Sequence, residues 1–426
     1  MKMNFDVRGW LGICVAVAVL HAVPGVTDPA AETNAAPKQF SGASPLVWSQ
    51  RLADSEMARL GDSLVWQPGG KAKWDYAAGL FTLSLIKLSA AVAPEPPAAG
   101  YVAYARAAIG SSIDSHGQIT GYSRKEFQLD ALNPGKTALA LWTLTHEDRF
   151  RAAAAQLQAQ LADQPRTPDG GFWHKQRYTN QMWLDGIFMA EPFYAQCGQV
   201  FGAPGDFDEV AKQIQLIDSH TYDSKTGLNY HGWDAARIQP WANPETGCSS
   251  NFWGRAEGWY VMALVDVLDF LPADHPSRGA IMGTLQKTAR GIVKWQDGPS
   301  GLWWQVMDQG SRPGNYLEAT ASAMFVYTLA KGIHHGYLPP EYLPVAEKGY
   351  TGMLQRLIQP DGPGRWSLVH CCTVAGLGGA PSNGKMRDGS FNYYISEPVG
   401  TNDLKGVGPF ILAGIELQAV SRANIR

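Results

Sequence analysis

The sequence has little charge, few cysteines and no long basic run, and each shortage closes off a class of function. Charged residues make up 17% of the 426 positions and hydrophobic ones 45%, which excludes a disordered chain and favours a large buried core. Lys and Arg number 35 against 38 Asp and Glu, a net charge of −3 without clustered cations, so no nucleic-acid partner is expected. Cys197, Cys248, Cys371 and Cys372 follow the N-terminal Cys14 without metal-ligand spacing, so neither a metal centre nor cysteine-based catalysis is expected; one disulfide is conceivable, but its pairing cannot be deduced. No cofactor is implied. There is also no long alternating run of the kind that builds a sheet.

The first residues have the pattern of an export signal. Lys2 and Arg8 form a basic region, Trp10–Leu20 an apolar one, and small residues follow, with cleavage expected between Ala22 and Ala31; Asp6 is atypical. The apolar run is too short for a transmembrane helix, and Leu11-Gly-Ile-Cys14 lacks the small residue a lipoprotein signal needs before its Cys. The expectation is a periplasmic or secreted protein without stable membrane insertion: 1–31 as signal peptide and start of a mature tail, 32–426 as a single catalytic domain, with 32–45 read as tail.

What is abundant is aromatic side chains: 15 Trp, 16 Tyr and 15 Phe, with many Trp beside Gly in loops, which suits a cleft for a sugar ring. Helical patterns fill the rest. They span Pro45–Leu60, Trp74–Ala91, Ala98–Ile113, Pro134–Thr145, Glu147–Gln164, Gln181–Phe201, Phe207–Tyr222, Phe252–Phe270, Pro276–Trp295, Tyr316–Gly336, Pro344–Ile358 and Leu404–Ala423. Between them a Gly-headed segment recurs, at Gly117, Gly171, Gly227, Gly301 and Gly364, so each unit reads as a helical hairpin. The closed solution for six hairpins is a double ring, with the more continuously apolar even-numbered helices inside. Their N-termini then share one rim, where Asp75, Tyr76, Asp130, Asp185, Arg255, Trp259, Glu318 and Lys405 cluster. Free N–H groups and positive dipole ends at such a rim favour an anionic ligand.

Asp185 stands out. It lies early in a helix apolar on nearly every face, with Asn180 a plausible N-cap, and a carboxylate there is costly unless hydrogen-bonded or protonated. Glycoside chemistry needs two carboxyl groups, and Asp130, in the run-in to the helix at Pro134, is the other candidate; alone it reads equally as a cap or Asx turn. His174, Lys175 and His231 lie in the loops between hairpins, where a satisfied loop histidine is the plainer account. Arg255 and Trp259 share a face at i,i+4, either to hold a carboxylate and wall a sugar ring or as an ion pair and core packing. A metal site from His174, His231 and Asp185 lacks supporting spacing.

The segments Tyr178-Thr-Asn-Gln-Met-Trp-Leu-Asp-Gly186, Trp253-Gly-Arg-Ala-Glu-Gly-Trp-Tyr-Val-Met-Ala-Leu-Val-Asp266, Tyr316-Leu-Glu-Ala-Thr-Ala-Ser-Ala-Met-Phe325 and Ser396-Glu-Pro-Val-Gly-Thr-Asn-Asp-Leu-Lys-Gly-Val-Gly408 together resemble glycoside hydrolase family 105, from about Trp74 to about Leu417. Those enzymes are unsaturated rhamnogalacturonyl hydrolases and related unsaturated glucuronyl hydrolases. The resemblance implies an all-α (α/α)6 barrel and a substrate left by a polysaccharide lyase, with a C4=C5 double bond in its terminal uronic acid. It implies Asp185 as acid/base, Asp130 as second carboxylate, and His174, Lys175, His231, Arg255 and Trp259 as substrate contacts; Tyr76 and Lys405 are added as contacts from their place at the same rim. Ala256-Glu257 departs from the smaller or amide residues of many members, which bears on substrate preference. The chemistry would be protonation of one alkene carbon and addition of water to the other, with the neutral acid favoured by an apolar setting. Rhamnogalacturonan fragments are the expected substrate. A conventional inverting glycosidase, a sugar epimerase and a non-catalytic oligouronide-binding protein are the alternatives.

Overall fold

The computed structural model describes residues 38–423 apart from 62, 63, 65–72, 96 and 380–385, so the expected signal segment lies outside the described residues. Pro37–Arg426 forms one compact unit. All twelve expected helices are present: α1 Pro45–Leu60, α2 Tyr76–Val92, α3 Pro97–Gly110, α4 Pro134–Thr145, α5 Asp148–Ala162, α6 Leu184–Phe201, α7 Gly205–Thr221, α8 Gly254–Val267, α9 Arg278–Lys294, α10 Ala319–His334, α11 Leu343–Arg356 and, late in the chain, α13 Leu404–Ala423. One more short helix, α12 (Phe391–Ser396), has too few residues to carry a hydrophobic period, and the sequence pattern does not reveal it.

The (α/α)6 barrel follows from which helices are apolar all round. Helices α2, α4, α6, α8, α10 and α13 form the inner ring, each packed on the next, and α13 closes it against α2. Every residue of α8 is buried, whereas the outer helices α1, α3, α5, α7, α9 and α11 each cover one inner partner and show water their other face. The core is one continuous cluster running round the ring. Among the described residues no helix is long and apolar enough to cross a membrane.

The Gly-headed turns follow the outer helices and lead the chain back to the rim. At Gly301 φ is +74°, and an added Cβ would meet the Lys348 carbonyl oxygen at 2.6 Å; at Gly117 φ is +83° and Ala152 would be met at 2.5 Å. Both turns therefore need glycine for handedness and for space. The only sheets among the described residues are two-stranded: β1 (Gln181–Trp183) with β4 (Gly232–Asp234), β2 (Tyr222–Asp223) with β3 (Leu228–Asn229), β5 (Ile358–Pro360) with β6 (Trp366–Leu368), and β7 (Cys371–Cys372) with β8 (Val399–Gly400).

Two local expectations are corrected. Residues 38–44 are not a free tail: Phe40 is buried with its ring edge-on to Tyr350 at 5.3 Å, and its carbonyl accepts from Trp48 Nε1 at 2.7 Å. Asn180 does not cap α6; it takes φ +59° in the turn before β1, and the capping position falls to Trp183, which offers no side-chain cap. Cys197, Cys248, Cys371 and Cys372 are free and buried, so the conceivable disulfide does not form among them.

Candidate active site

The site is assembled where β1 and β4 run side by side at the rim. Their register sets Trp183 opposite Gly232, so Asp185, two residues after Trp183, and His231, one before Gly232, emerge together. The Leu184 amide donates to the His231 carbonyl at 3.0 Å and locks the strand end to the first turn of α6. His231 is fully enclosed, and its Nε2 lies 3.1 Å from Oδ2 of Asp185. The contact is close but poorly aligned for hydrogen bonding. Both atoms are buried and neither has a hydrogen-bond partner. Such groups are rare in folded proteins and call for an explanation. His231 Nδ1 is paired at 2.7 Å with the Tyr394 hydroxyl.

Asp130 has the opposite setting. It sits in a single 3-10 turn, Leu129–Leu132, that is pinned on three sides. Trp74 Nε1 donates to the Ala131 carbonyl at 2.7 Å, Asn133 Nδ2 to the Tyr76 carbonyl at 2.7 Å, and the Leu129 amide to the His174 carbonyl at 3.1 Å. Gln164 Nε2 straps the Phe127 and Trp173 carbonyls together, both at 2.8 Å. Lys175 Nζ is thereby brought to 2.6 Å from Asp130 Oδ2, and His174 Nε2 to 3.3 Å from Oδ1. Burial works against the charge of Asp130, but Lys175 and then His174 outweigh it and hold the carboxyl well below the usual carboxylate range. Asp130 is therefore no helix cap; Asn133 is the residue that precedes α4.

Trp183 stands between the two Asp–His pairs. Its ring stacks on His174 with centroids 4.6 Å apart and lies edge-on to His231 at 5.5 Å. Tyr178 stacks on Trp183 at 4.6 Å, and Trp241 and Leu377 complete a small cluster separate from the main core. Close approach of His174 to α6 depends on Gly186, where an added Cβ would be 3.0 Å from His174 Nδ1.

The cation expected to hold a substrate carboxylate is Arg255. It is buried in the first turn of α8, lies 4.5 Å over the Trp253 ring, donates through Nη1 to the Cys372 carbonyl, and leaves Nε without a hydrogen-bond partner. Burial opposes its charge, but Cys372, Glu318, Tyr76 and Asp403 nearby outweigh burial and keep the guanidinium charged. No ion pair holds it among the described residues. Glu318 is spent as the cap of α10, accepting from the Thr320 and Ala321 amides, the Thr320 hydroxyl and the Cys372 amide.

Other expected contacts are placed differently. Lys175 is committed to Asp130 instead of standing free. Trp259 is buried, stacked on Phe188 at 4.7 Å and edge-on to Tyr76 at 6.3 Å, so it is core under the site and presents no open wall; one turn into a fully enclosed helix there is no exposed face for it. Arg255 turns back over Trp253 and not forward to Trp259. Lys405 Nζ is 2.7 Å from the Asp403 carboxylate and 5.9 Å from the centre of the Tyr76 ring, which keeps both Lys405 and Tyr76 at the rim. Beneath it, Lys136 lies 3.6 Å over the Phe188 ring with no hydrogen-bond partner, and burial pushes its amine down to about 7.

Sequence reasoning missed Trp183 and Tyr394 as members of the site. The first was legible, two residues from Asp185; the second arrives from α12, 163 positions from its partner, and no local signal announces it. A group with metal-ligand donors, His334, His335 and Glu416, lies at the other end of α10, roughly 24 Å along a helix of this length from the rim, with His334 Nδ1 already 2.7 Å from Glu416.

Comparison with known proteins agrees with the fold. The family model described as Glycosyl Hydrolase Family 88 matches residues 48–420. A solved glycoside hydrolase from family 105 of C. acetobutylicum ATCC 824 is 39% identical, with a TM-score of 0.81 over 87% of this chain and 99% of that one. A curated protein of Agrobacterium fabrum is 37% identical over 238 residues, 55% of this chain and all of that protein. The unsaturated rhamnogalacturonyl hydrolase YesR of Bacillus subtilis (strain 168) is 29% identical over 201 residues, 46% of this chain and 55% of that enzyme.

Proposed function

Because this chain belongs to glycosyl hydrolase family 88, with the family 105 enzymes, and is therefore a glycoside hydrolase, we propose that it releases a terminal 4,5-unsaturated uronic acid from lyase-generated oligosaccharides. Rhamnogalacturonan fragments are the favoured substrate, supported by the likeness to the Bacillus subtilis enzyme. The observation that carries the reading is the contrast between two carboxyl groups at one rim. Asp130 is saturated by Lys175 and His174 and ionised; Asp185 keeps a buried oxygen without a hydrogen bond, beside an imidazole in the same condition.

In this reaction Asp185 gives a proton to C4 of the enol ether, and positive charge develops at C5 and the ring oxygen. Once ionised, the same carboxylate takes a proton from the water that adds to C5. The resulting hemiketal opens and releases the adjoining sugar, with no covalent intermediate. Acid–base help of this kind contributes about 10²–10⁴-fold. Arg255 supplies the uronate contact through its unpaired Nε and remaining N–H groups, assisted by the positive ends of the inner helices. Asp130, fixed as an anion by Lys175, stabilises the cation that develops at C5. Tyr76 and Lys405 serve the part of the substrate that extends over the rim.

The N-terminal basic and apolar pattern supports export to the periplasm or out of the cell; sequencing the N-terminus of the exported protein tests that point. The reaction is tested by incubating the protein with lyase products of pectin, ulvan and glycosaminoglycans and following ultraviolet absorbance of the conjugated enol carboxylate. Loss of absorbance with release of a sugar is expected, fastest on the rhamnogalacturonan fragment. Unchanged absorbance across the panel, or turnover of saturated substrates, would refute it.

A further inference from the structure

The Nε2 of His231 lies 3.1 Å from the enclosed oxygen of Asp185, so whether that nitrogen carries a hydrogen decides what the oxygen meets there. An imidazole is fixed in one tautomer by the partner of its other nitrogen. Here that partner is the Tyr394 hydroxyl, 2.7 Å from Nδ1. The phenol is fully buried, and burial holds its pKa well above the ordinary value, so it is an O–H donor at any working pH; Tyr393, Asp185, Asp388 and Cys372 face it and push the same way. A buried O–H needs an acceptor, and Nδ1 of His231 lies in hydrogen-bond range of it.

The phenol itself is held in place from three directions. Its ring stacks on Trp253 at 5.9 Å, its carbonyl accepts from Gln305 Nε2 at 3.0 Å, and Gln305 is in turn oriented by Trp253 Nε1 at 3.1 Å. The Ser390 hydroxyl caps α12 by accepting from the Tyr393 amide at 3.1 Å. A hydroxyl so placed cannot turn toward another partner without moving its helix.

We propose that Tyr394 is a positioning residue that fixes the tautomer of His231: it donates to Nδ1, so that the hydrogen resides on Nε2, the nitrogen 3.1 Å from Oδ2 of Asp185. Oδ2 then faces an N–H and not a nitrogen lone pair, and the proton that Asp185 delivers resides on Oδ1. The side chain is 13% exposed although Oδ2 is enclosed, so Oδ1 is the oxygen that faces the open side. The catalytic consequence rests on Asp185 being the acid/base group; the tautomer does not depend on it.

The test has a spectroscopic arm and a kinetic arm. Long-range ¹H–¹⁵N spectra of the full-length protein labelled at histidine, with the resonance assigned by His231→Gln, should show the Nε2–H form of His231 alone. In Tyr394→Phe the same resonance should become a mixture of tautomers. The variant should lower kcat on an unsaturated substrate about 10–100-fold and leave KM within twofold, since Arg255 is untouched. A wild-type Nδ1–H or imidazolium form overturns the proposal, and this result is available even if the variant fails to fold. A folded variant with wild-type kcat overturns it too. If no unsaturated substrate is turned over, the functional reading fails while the tautomer measurement still decides the role of Tyr394.

Discussion

Replacing Lys175 by Met removes the cation that holds Asp130 ionised and keeps most of the aliphatic stem. The pair is 2.6 Å long, and its side chains are 15% and 13% exposed, so solvent screening recovers little. Taking one partner from a buried pair costs about 3–5 kcal/mol, because the remaining charge is left uncompensated. For a domain of roughly 390 residues, an unfolding entropy of about 0.8 kcal/mol/K converts 3 kcal/mol into a drop in Tm of about 4 °C at pH 7. The pH dependence has a definite sign. Asp130 is depressed in the folded protein, so its stabilisation is present above the unfolded value near 3.9 and is lost as pH falls through the folded one. Without Lys175 burial regains the upper hand and the folded value moves up, so the difference in Tm should be large at pH 7 and shrink toward pH 3. The same loss, if borne by the transition state, lowers kcat/KM about 100-fold. Differential scanning calorimetry across pH and the absorbance-loss assay measure both. A Tm at pH 7 within 1 °C of the wild type, or a deficit that grows as the solution is acidified, would refute the assignment of Asp130 as a Lys175-held anion.

Asp185→Asn should lose about 10²–10⁴ in kcat with Tm unchanged or raised, because a neutral amide removes the buried unpaired carboxylate oxygen; retained activity would remove Asp185 from the mechanism. Burial pushes Glu257 up to about 8, against a single hydrogen bond from the Asn229 amide. The folded state therefore binds a proton that the unfolded state has lost between about pH 4.5 and 8, and stability falls as pH rises through that window. Glu257→Gln should flatten the fall and unfold at a higher temperature than the wild type at pH 9; identical pH curves would contradict it. Gly186→Ala should gain up to about 1 kcal/mol in helix propensity and lose about as much to the 3.0 Å contact with His174, leaving Tm nearly unchanged while kcat falls about tenfold as His174 shifts. Unaltered kcat with a bound-state structure showing His174 unmoved would count against the tight packing at that helix start.

Much of the architecture was legible because helix formation and burial are written locally. The Pro45–Leu60 and Pro134–Thr145 boundaries coincide with those of α1 and α4, and the apolar runs of α2, α4, α6, α8, α10 and α13 identify the inner ring before any contact is known. The rim cluster was legible for the same reason: N-terminal positions of parallel inner helices must lie at one end. What the chain does not announce is partner choice. Lys175 looked like a free cation, and only the strap of Gln164 across two loops shows it delivered to Asp130. Trp259 looked like a sugar platform, and its burial depends on Phe188 and Tyr76 from neighbouring helices.

The sequence by itself determined a closed ring of helical hairpins, its family, and a costly acid at Asp185. The tertiary structure decided which charges are neutralised, which oxygen of Asp185 stays unpaired, and that a six-residue helix, α12, brings Tyr394 to His231. The division has a physical cause. Periodicity and propensity act over a few turns of one segment. A hydrogen bond between residues 163 positions apart exists only once loops of low local information have been folded against the barrel.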